Sequence, residues 1–105
     1  MAKLIKDVFG HEIIVNQTIL DFSEKLVQSD EVFDGIAMVI EKPIMIFKMN
    51  EGLIQLYYLR AIGWNKTMLI GVQKKGDHFE VINYQLDPDI ERITELHRKG
   101  ERLIW

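Results

Sequence analysis

The sequence contains no cysteine, only two prolines, and no apolar stretch of any great length. Without cysteine there is no disulfide framework, no thiolate zinc site and no cysteine nucleophile, which fits a reducing compartment. No segment approaches the ~18 to 20 apolar residues that cross a bilayer. The opening "MAKLIKDVFG" holds a lysine-flanked apolar pair in place of a signal-type run. A cytoplasmic protein with no membrane contact is therefore expected. Low-complexity runs, linkers and internal repeats are missing, as are a Walker loop, a dinucleotide fingerprint and a serine elbow. No metal and no cofactor is expected. Thirteen basic against sixteen acidic residues give a net charge of -3. That balance excludes the broadly basic surface of a bulk nucleic-acid binder, carries no DNA-specific signal, and leaves room for a local basic patch.

What is present is enough apolar content, 48% of 105 residues, to bury one core. Residues 1–105 read as a single domain. "LIKDVFGHEIIV" reads as a short edge ribbon turning at Gly10, with Ile13 to Val15 running on from it. In "TILDFSEKLVQ" the apolar residues Ile19, Leu20, Phe22, Leu26 and Val27 share a helical stripe, with Thr18 and Asp21 at capping-box spacing. A second helix runs through "SDEVFDGIAMVIEKP", capped by Asp30, striped by Val32, Phe33, Ile36, Ala37, Val39 and Ile40, and ended before Pro43. Four strands follow: "IMIFKM", "LIQLYYLRAI", "TMLIGVQK" and "FEVINYQL". A last helix is expected from Asp87 as cap and Pro88 as first helical residue to Gly100 as stop, with "RLIW" as a closing strand or tail. The expected fold is α+β: an antiparallel four-stranded meander sheet with two N-terminal helices and one C-terminal helix packed on one face.

Side-chain parity then assigns the faces. Gly76-Asp77 suits a two-residue hairpin loop and sets 72 opposite 81. The preceding loop is Gly63-Trp64 or Trp64-Asn65, and the two choices differ by two residues of register, so they agree on faces. One face carries Tyr57, Leu59, Ala61, Met68, Ile70, Val72, Phe79 and Val81, and is expected beneath the helices. The other carries Leu56, Tyr58, Arg60, Leu69, Gly71, Gln73, Glu80, Ile82 and Tyr84. There Gly71 leaves a gap that Tyr58, Arg60, Glu80 and Tyr84 would rim, a spot where a phosphate can approach backbone beside an arginine. Against this stands ordinary sheet packing, with Arg60 and Glu80 as a surface ion pair of ~0 to 1 kcal/mol. His11, His78 and His97 lack ligand spacing, and His97 beside the stripe of the last helix is more simply a boundary packer. Lys74 and Lys75 offer a basic hairpin tip, and Trp64 an aromatic for a partner surface.

The segments "DVFGHEI", "IEKP", "YYLR", "TMLIGV" and "VINY", in this order, resemble the phage and mobile-element relatives of the barnase, EndoU, colicin and RelE class of ribonuclease-like domains, BrnT-like toxins included. The resemblance spans about Asp7 to Trp105. It implies metal-independent RNA cleavage on the exposed sheet face. In that site Arg60 would hold the scissile phosphate, Tyr58 and Tyr84 would position RNA or assist proton transfer, and Glu80 or His97 would act as base or acid. Gly71, Lys74, Lys75 and Trp64 would contact substrate. Relatives often place a histidine in the first helix, whereas "TILDFSEKL" has none, and Ile82 stands where they carry a threonine. Those departures support a second expectation: a catalytically inactive scaffold that binds a protein partner, an antitoxin or a host factor.

Overall fold

The computed structural model of the protein describes residues 3–16, 29–49, 54–63 and 66–104. Seven strands form one sheet: β1 (Lys3–Lys6), β2 (Glu12–Val15), β3 (Met45–Met49), β4 (Gln55–Gly63), β5 (Lys66–Lys75), β6 (His78–Leu86) and β7 (Glu101–Ile104). Two helices are present among the described residues, α1 (Ser29–Glu41) and α2 (Ile90–Lys99). The helix expected over 18–28 lies outside the described residues. The strand order is β1-β2-β6-β5-β4-β3-β7. Pairings are antiparallel except β2 with β6, where Ile13 lies beside Phe79 in a parallel pair. The expected four-stranded antiparallel meander is therefore corrected to a seven-stranded mixed sheet. The meander is its centre, the β1–β2 ribbon extends one side and the C-terminal β7 the other.

The helices also divide between the two faces in place of sharing one. On the first face α1 sets Ile36, Val39 and Ile40 against Ile46, Leu56, Tyr58, Met68, Ile70, Val72, Phe79 and Val81, and Ile5, Ile13 and Val15 of the ribbon join that cluster. On the second, Leu96 of α2, with Ile93 beside it, packs on Phe47, Met49, Tyr57, Leu59 and Leu69. Strands buried on both sides read as continuous apolar runs, and this is why β4 and β5 carry so few charges.

Two β-bulges decide which side chains share a face. Gly63 pairs with Lys66, so Trp64-Asn65 closes the loop, but the next pair is Ala61 with Thr67 and Ile62 is the extra residue. Likewise Val72 faces Val81 as the turn chemistry predicts, whereas Gly71 faces Asn83 and Ile82 is extra. One inserted residue moves every later side chain to the opposite face relative to the partner strand. Tyr57 and Leu59 consequently leave the Met68, Ile70 and Val72 face, and Leu56 and Tyr58 take their place.

The last helix starts later than its sequence suggests. Asp89 is the N-cap, its side chain accepting from Arg92 N at 2.9 Å. Asp87 sits at φ +50, a left-handed conformation that aspartate tolerates better than most residues. There its Oδ1 accepts from Thr67 N at 3.0 Å. Gly100 ends the helix as expected, donating its N–H to Leu96 O at 2.9 Å. No helix among the described residues is long and apolar enough to cross a membrane.

Because Leu96 is sealed between α2 and the sheet while Ile90 on the same helix is exposed, truncation should separate them. Leu96→Ala should cost about 2 to 5 kcal/mol and Ile90→Ala no more than about 0.5 kcal/mol, measured by urea unfolding.

Candidate functional site

The expected catalytic group is not assembled. Tyr58, Arg60 and Tyr84 do project from one side, since Arg60 lies opposite Met68 and Tyr84 opposite Ile70. That side is the one α1 covers. Tyr58 is fully buried and Tyr84 packs half-buried on the same cluster. Arg60 donates from Nη1 to Lys42 O at 2.7 Å, just past the end of α1, where a cation complements the negative end of the helix dipole. Its Nε is buried with no hydrogen-bond partner among the described residues. Arg60 therefore acts as a helix cap.

Glu80 lies on the opposite face, beside Gln73 and Ile14. It accepts from Asn16 Nδ2 and pairs with Lys75 Nζ at 3.1 Å, in place of Arg60. His97, on α2, stands edge-on to Phe47 with ring centroids 4.9 Å apart, which is the boundary packing its spacing suggests. Lys74 and Lys75 are exposed at the β5–β6 turn. Trp64 lies outside the described residues. The gap at Gly71 is filled: a Cβ there would meet Asn83 Oδ1 at 2.8 Å and Tyr57 Cε1 at 3.0 Å. Gly71 admits those two side chains, which occupy the gap its missing Cβ leaves.

A different cluster does assemble, around Asp7 in the turn that joins β1 to β2. Gly10 takes φ +86, a conformation open to glycine at little cost, and lets the chain reverse. Asp7 Oδ1 accepts from Phe9 N at 2.9 Å and His11 N at 2.8 Å. Its Oδ2 lies 3.0 Å from His11 Nδ1 and accepts from the Tyr58 hydroxyl at 2.5 Å. The carboxylate is wholly buried, whereas the His11 side chain is 42% exposed. The His11 ring lies 4.9 Å from the buried Phe79 ring and 5.8 Å from Phe9, centroid to centroid.

The Tyr58 bond also reports on the sheet. Four strand spacings of ~4.8 Å separate β1 from β4, ~19 Å if the sheet were flat, yet the hydroxyl of a β4 residue touches the turn after β1. The sheet must roll over α1's face. Lys3 Nζ, 4.3 Å from the Phe33 ring of α1, marks the same closure. Burial, then the bond to Asp7, then Asp7's charge hold the Tyr58 phenol well above the ordinary tyrosine range.

A carboxylate is an acceptor only, so Nδ1 of neutral His11 carries the proton and Nε2 keeps its lone pair. Among the described residues Nε2 has no hydrogen-bond partner, and the ring is partly open to solvent. The arrangement can accept a proton from a bound hydroxyl. In the sequence His11 is one of three histidines without ligand spacing. The signal for its placement is an Asp and a His four apart across a glycine turn, in which the aspartate's own turn bonds bring the imidazole back onto it.

Two stability measurements test this geometry. Tyr58→Phe should cost about 1.5 to 3 kcal/mol, the range for a hydrogen bond to a charged group. The raised folded value keeps the phenol's contribution complete below the ~10 of a free tyrosine, and it is lost as pH climbs from there toward the folded value. The Phe variant should therefore lack that part of the wild type's alkaline loss of stability in unfolding curves taken across that range. Gly71→Ala should cost about 1 to 3 kcal/mol through overpacking, and Asn83→Ala in the same chain should recover part of it by removing the closer contact.

Comparison with known proteins finds no family model that matches the chain, no similar curated protein and no similar solved structure.

Proposed function

We propose that the chain cleaves RNA at the β1–β2 turn, with His11 Nε2 as the base that takes the proton of a ribose 2′-hydroxyl. The observation that carries this reading is a buried carboxylate 3.0 Å from Nδ1 of a histidine whose side chain is 42% exposed, a contact that favours the neutral tautomer with its lone pair on Nε2. The ribonuclease-like resemblance names the reaction class, and the dyad supplies the proton carrier that "TILDFSEKL" lacks. As O2′ loses its proton to Nε2 it bonds to phosphorus and the P–O5′ bond breaks. The imidazolium then returns the proton to O5′. The products are a 2′,3′-cyclic phosphate and a 5′-hydroxyl, and the nucleophile comes from the substrate itself. Asp7 acts as a positioning residue, keeping the imidazole in one tautomer and one orientation, and Tyr58 holds Asp7. The roles first assigned to Arg60, Tyr84, Glu80 and His97 are withdrawn, because those side chains cap, pack or pair elsewhere. Action on cellular RNA in the cytoplasm is the corresponding setting.

A second reading rests on one observation. Val8 and Phe9, adjacent on the hydrogen-bonded turn, are 52% and 46% exposed, as an anchor for a protein partner such as an antitoxin or a host factor would be.

Short single-stranded RNA incubated with the purified protein, followed by mass spectrometry of the termini, tests the first reading. The wild type should yield cyclic-phosphate ends. His11→Ala should lower the rate about 100-fold or more, while Arg60→Ala and His97→Ala should cut at the wild-type rate. Intact RNA with the wild type, or undiminished cutting by His11→Ala, overturns it. The partner reading gains if RNA stays intact and a host protein is captured by the wild type but not by a Val8→Ser/Phe9→Ser variant.

A further inference from the structure

The contact with Asp7 fixes where His11 Nδ1 sits, but one contact does not fix a ring. The last torsion of a histidine is broad and has no sharp staggered wells. With Nδ1 held 3.0 Å from Oδ2, the imidazole can therefore still rock its plane, and the direction of Nε2 rocks with it. A second contact is needed. Phe79 supplies one: its ring centroid lies 4.9 Å from that of His11 with the planes 51° apart, inside the separation at which aromatic rings attract.

Phe79 is held in place for reasons that do not involve the turn. Its side chain is buried in the cluster that contains Ile13, Val15, Val72 and Val81, where close packing leaves a ring little room to move. Its backbone is paired on both sides, opposite Lys74 of β5 and beside Ile13 of β2. Ile13 is two residues on from His11, so the parallel pairing that joins the ribbon to the meander also delivers a flat core side chain to the imidazole. Phe9 reaches the imidazole as well, with centroids 5.8 Å apart. It is 46% exposed, however, and solvent lies against much of its ring.

We propose that Phe79 is a positioning residue for proton transfer at His11, completing with a face contact the hold that Asp7 begins with a hydrogen bond. The lone pair of Nε2 lies in the plane of the ring, so tilting that plane turns the acceptor away from a hydroxyl that has not moved. Phe79 itself touches neither the proton nor the hydroxyl. Its flat face is the property that matters: leucine fills much of the same volume but offers no plane for a ring to lie against. The proposal rests on the RNA-cleaving reading of His11, and its test reads the ring without RNA as well as the reaction with it.

Carbon-13 relaxation of the His11 ring C–H groups measures its rocking in the protein alone. In the wild type the ring should be as ordered as the β2 backbone, with an order parameter of about 0.85. A ring already mobile in the wild type overturns the proposal. Phe79→Leu should let the order parameter fall below about 0.6, and on cleavable RNA it should lower kcat about 10- to 100-fold, the scale of a small misplacement, with KM unchanged. If Phe79→Leu does not fold, Phe79→Ile is measured in its place. An ordered His11 ring in the folded variant overturns the proposal even if kcat falls, because that fall then reports only a disturbed core. An undiminished kcat overturns it too. A ring that loosens in the variant, in a protein whose wild type leaves RNA intact, supports the hold of Phe79 on the imidazole and removes the cleavage reading alone.

Discussion

The fold depends on one buried carboxylate. Burying an ion costs several kcal/mol unless its lone pairs are filled, and Asp7 fills them with two backbone N–H groups, an imidazole and a phenol. Each partner comes from a part of the chain that needs to be fixed. The N–H groups close the β1–β2 turn, and the phenol belongs to a central strand 51 residues away. A local turn bond and a long-range tertiary bond thus meet on the same two oxygen atoms. The ribbon cannot swing away from α1 without leaving Tyr58's hydroxyl unpaired in the core, a loss of roughly 1 to 3 kcal/mol. The roll of the sheet follows from that constraint.

How much of this was legible in the sequence depends on the distance over which each feature is decided. The stripe of α1, the Gly76-Asp77 reversal, the Gly10 turn and the stop at Gly100 are settled within a few residues, so residue type alone reveals them. The parallel pairing of β2 with β6 and the docking of β7 on β3 join segments far apart, and no local pattern announces them. The bulges are the instructive failure. Isoleucine at positions 62 and 82 is an ordinary strand residue, so nothing in its chemistry marks it as extra, yet each insertion inverts the facing of all that follows. Because β4 and β5 are apolar on both sides, an inverted assignment looks as good on paper as the true one.

The candidate site was half legible for the same reason. Tyr58, Arg60 and Tyr84 do share a side, but the inversion puts that side under α1 and leaves Glu80 and His97 across the sheet. Asp7, Gly10, Ile13, Tyr58 and Arg60, which lie in the segments on which the ribonuclease-like expectation rested, have folding roles here. They fill and bend the turn, join the core, anchor the ribbon and cap a helix. A motif made of such residues speaks for an architecture, and any chemistry has to be sought beside it.

His11 is where that chemistry is separable from the fold. Of Asp7's four donors, the imidazole is the one with a ring open to solvent; the other three bonds are enough to hold the carboxylate, the turn and the ribbon. Conversely, an imidazole on a mobile turn would sample several orientations and tautomers, whereas here the acceptor it meets was immobilised by folding. The orientation of the imidazole is therefore settled by the fold itself. Tyr58 links the core to the turn: by donating to Oδ2 it fixes the atom that His11 Nδ1 meets, and so the direction in which Nε2 points.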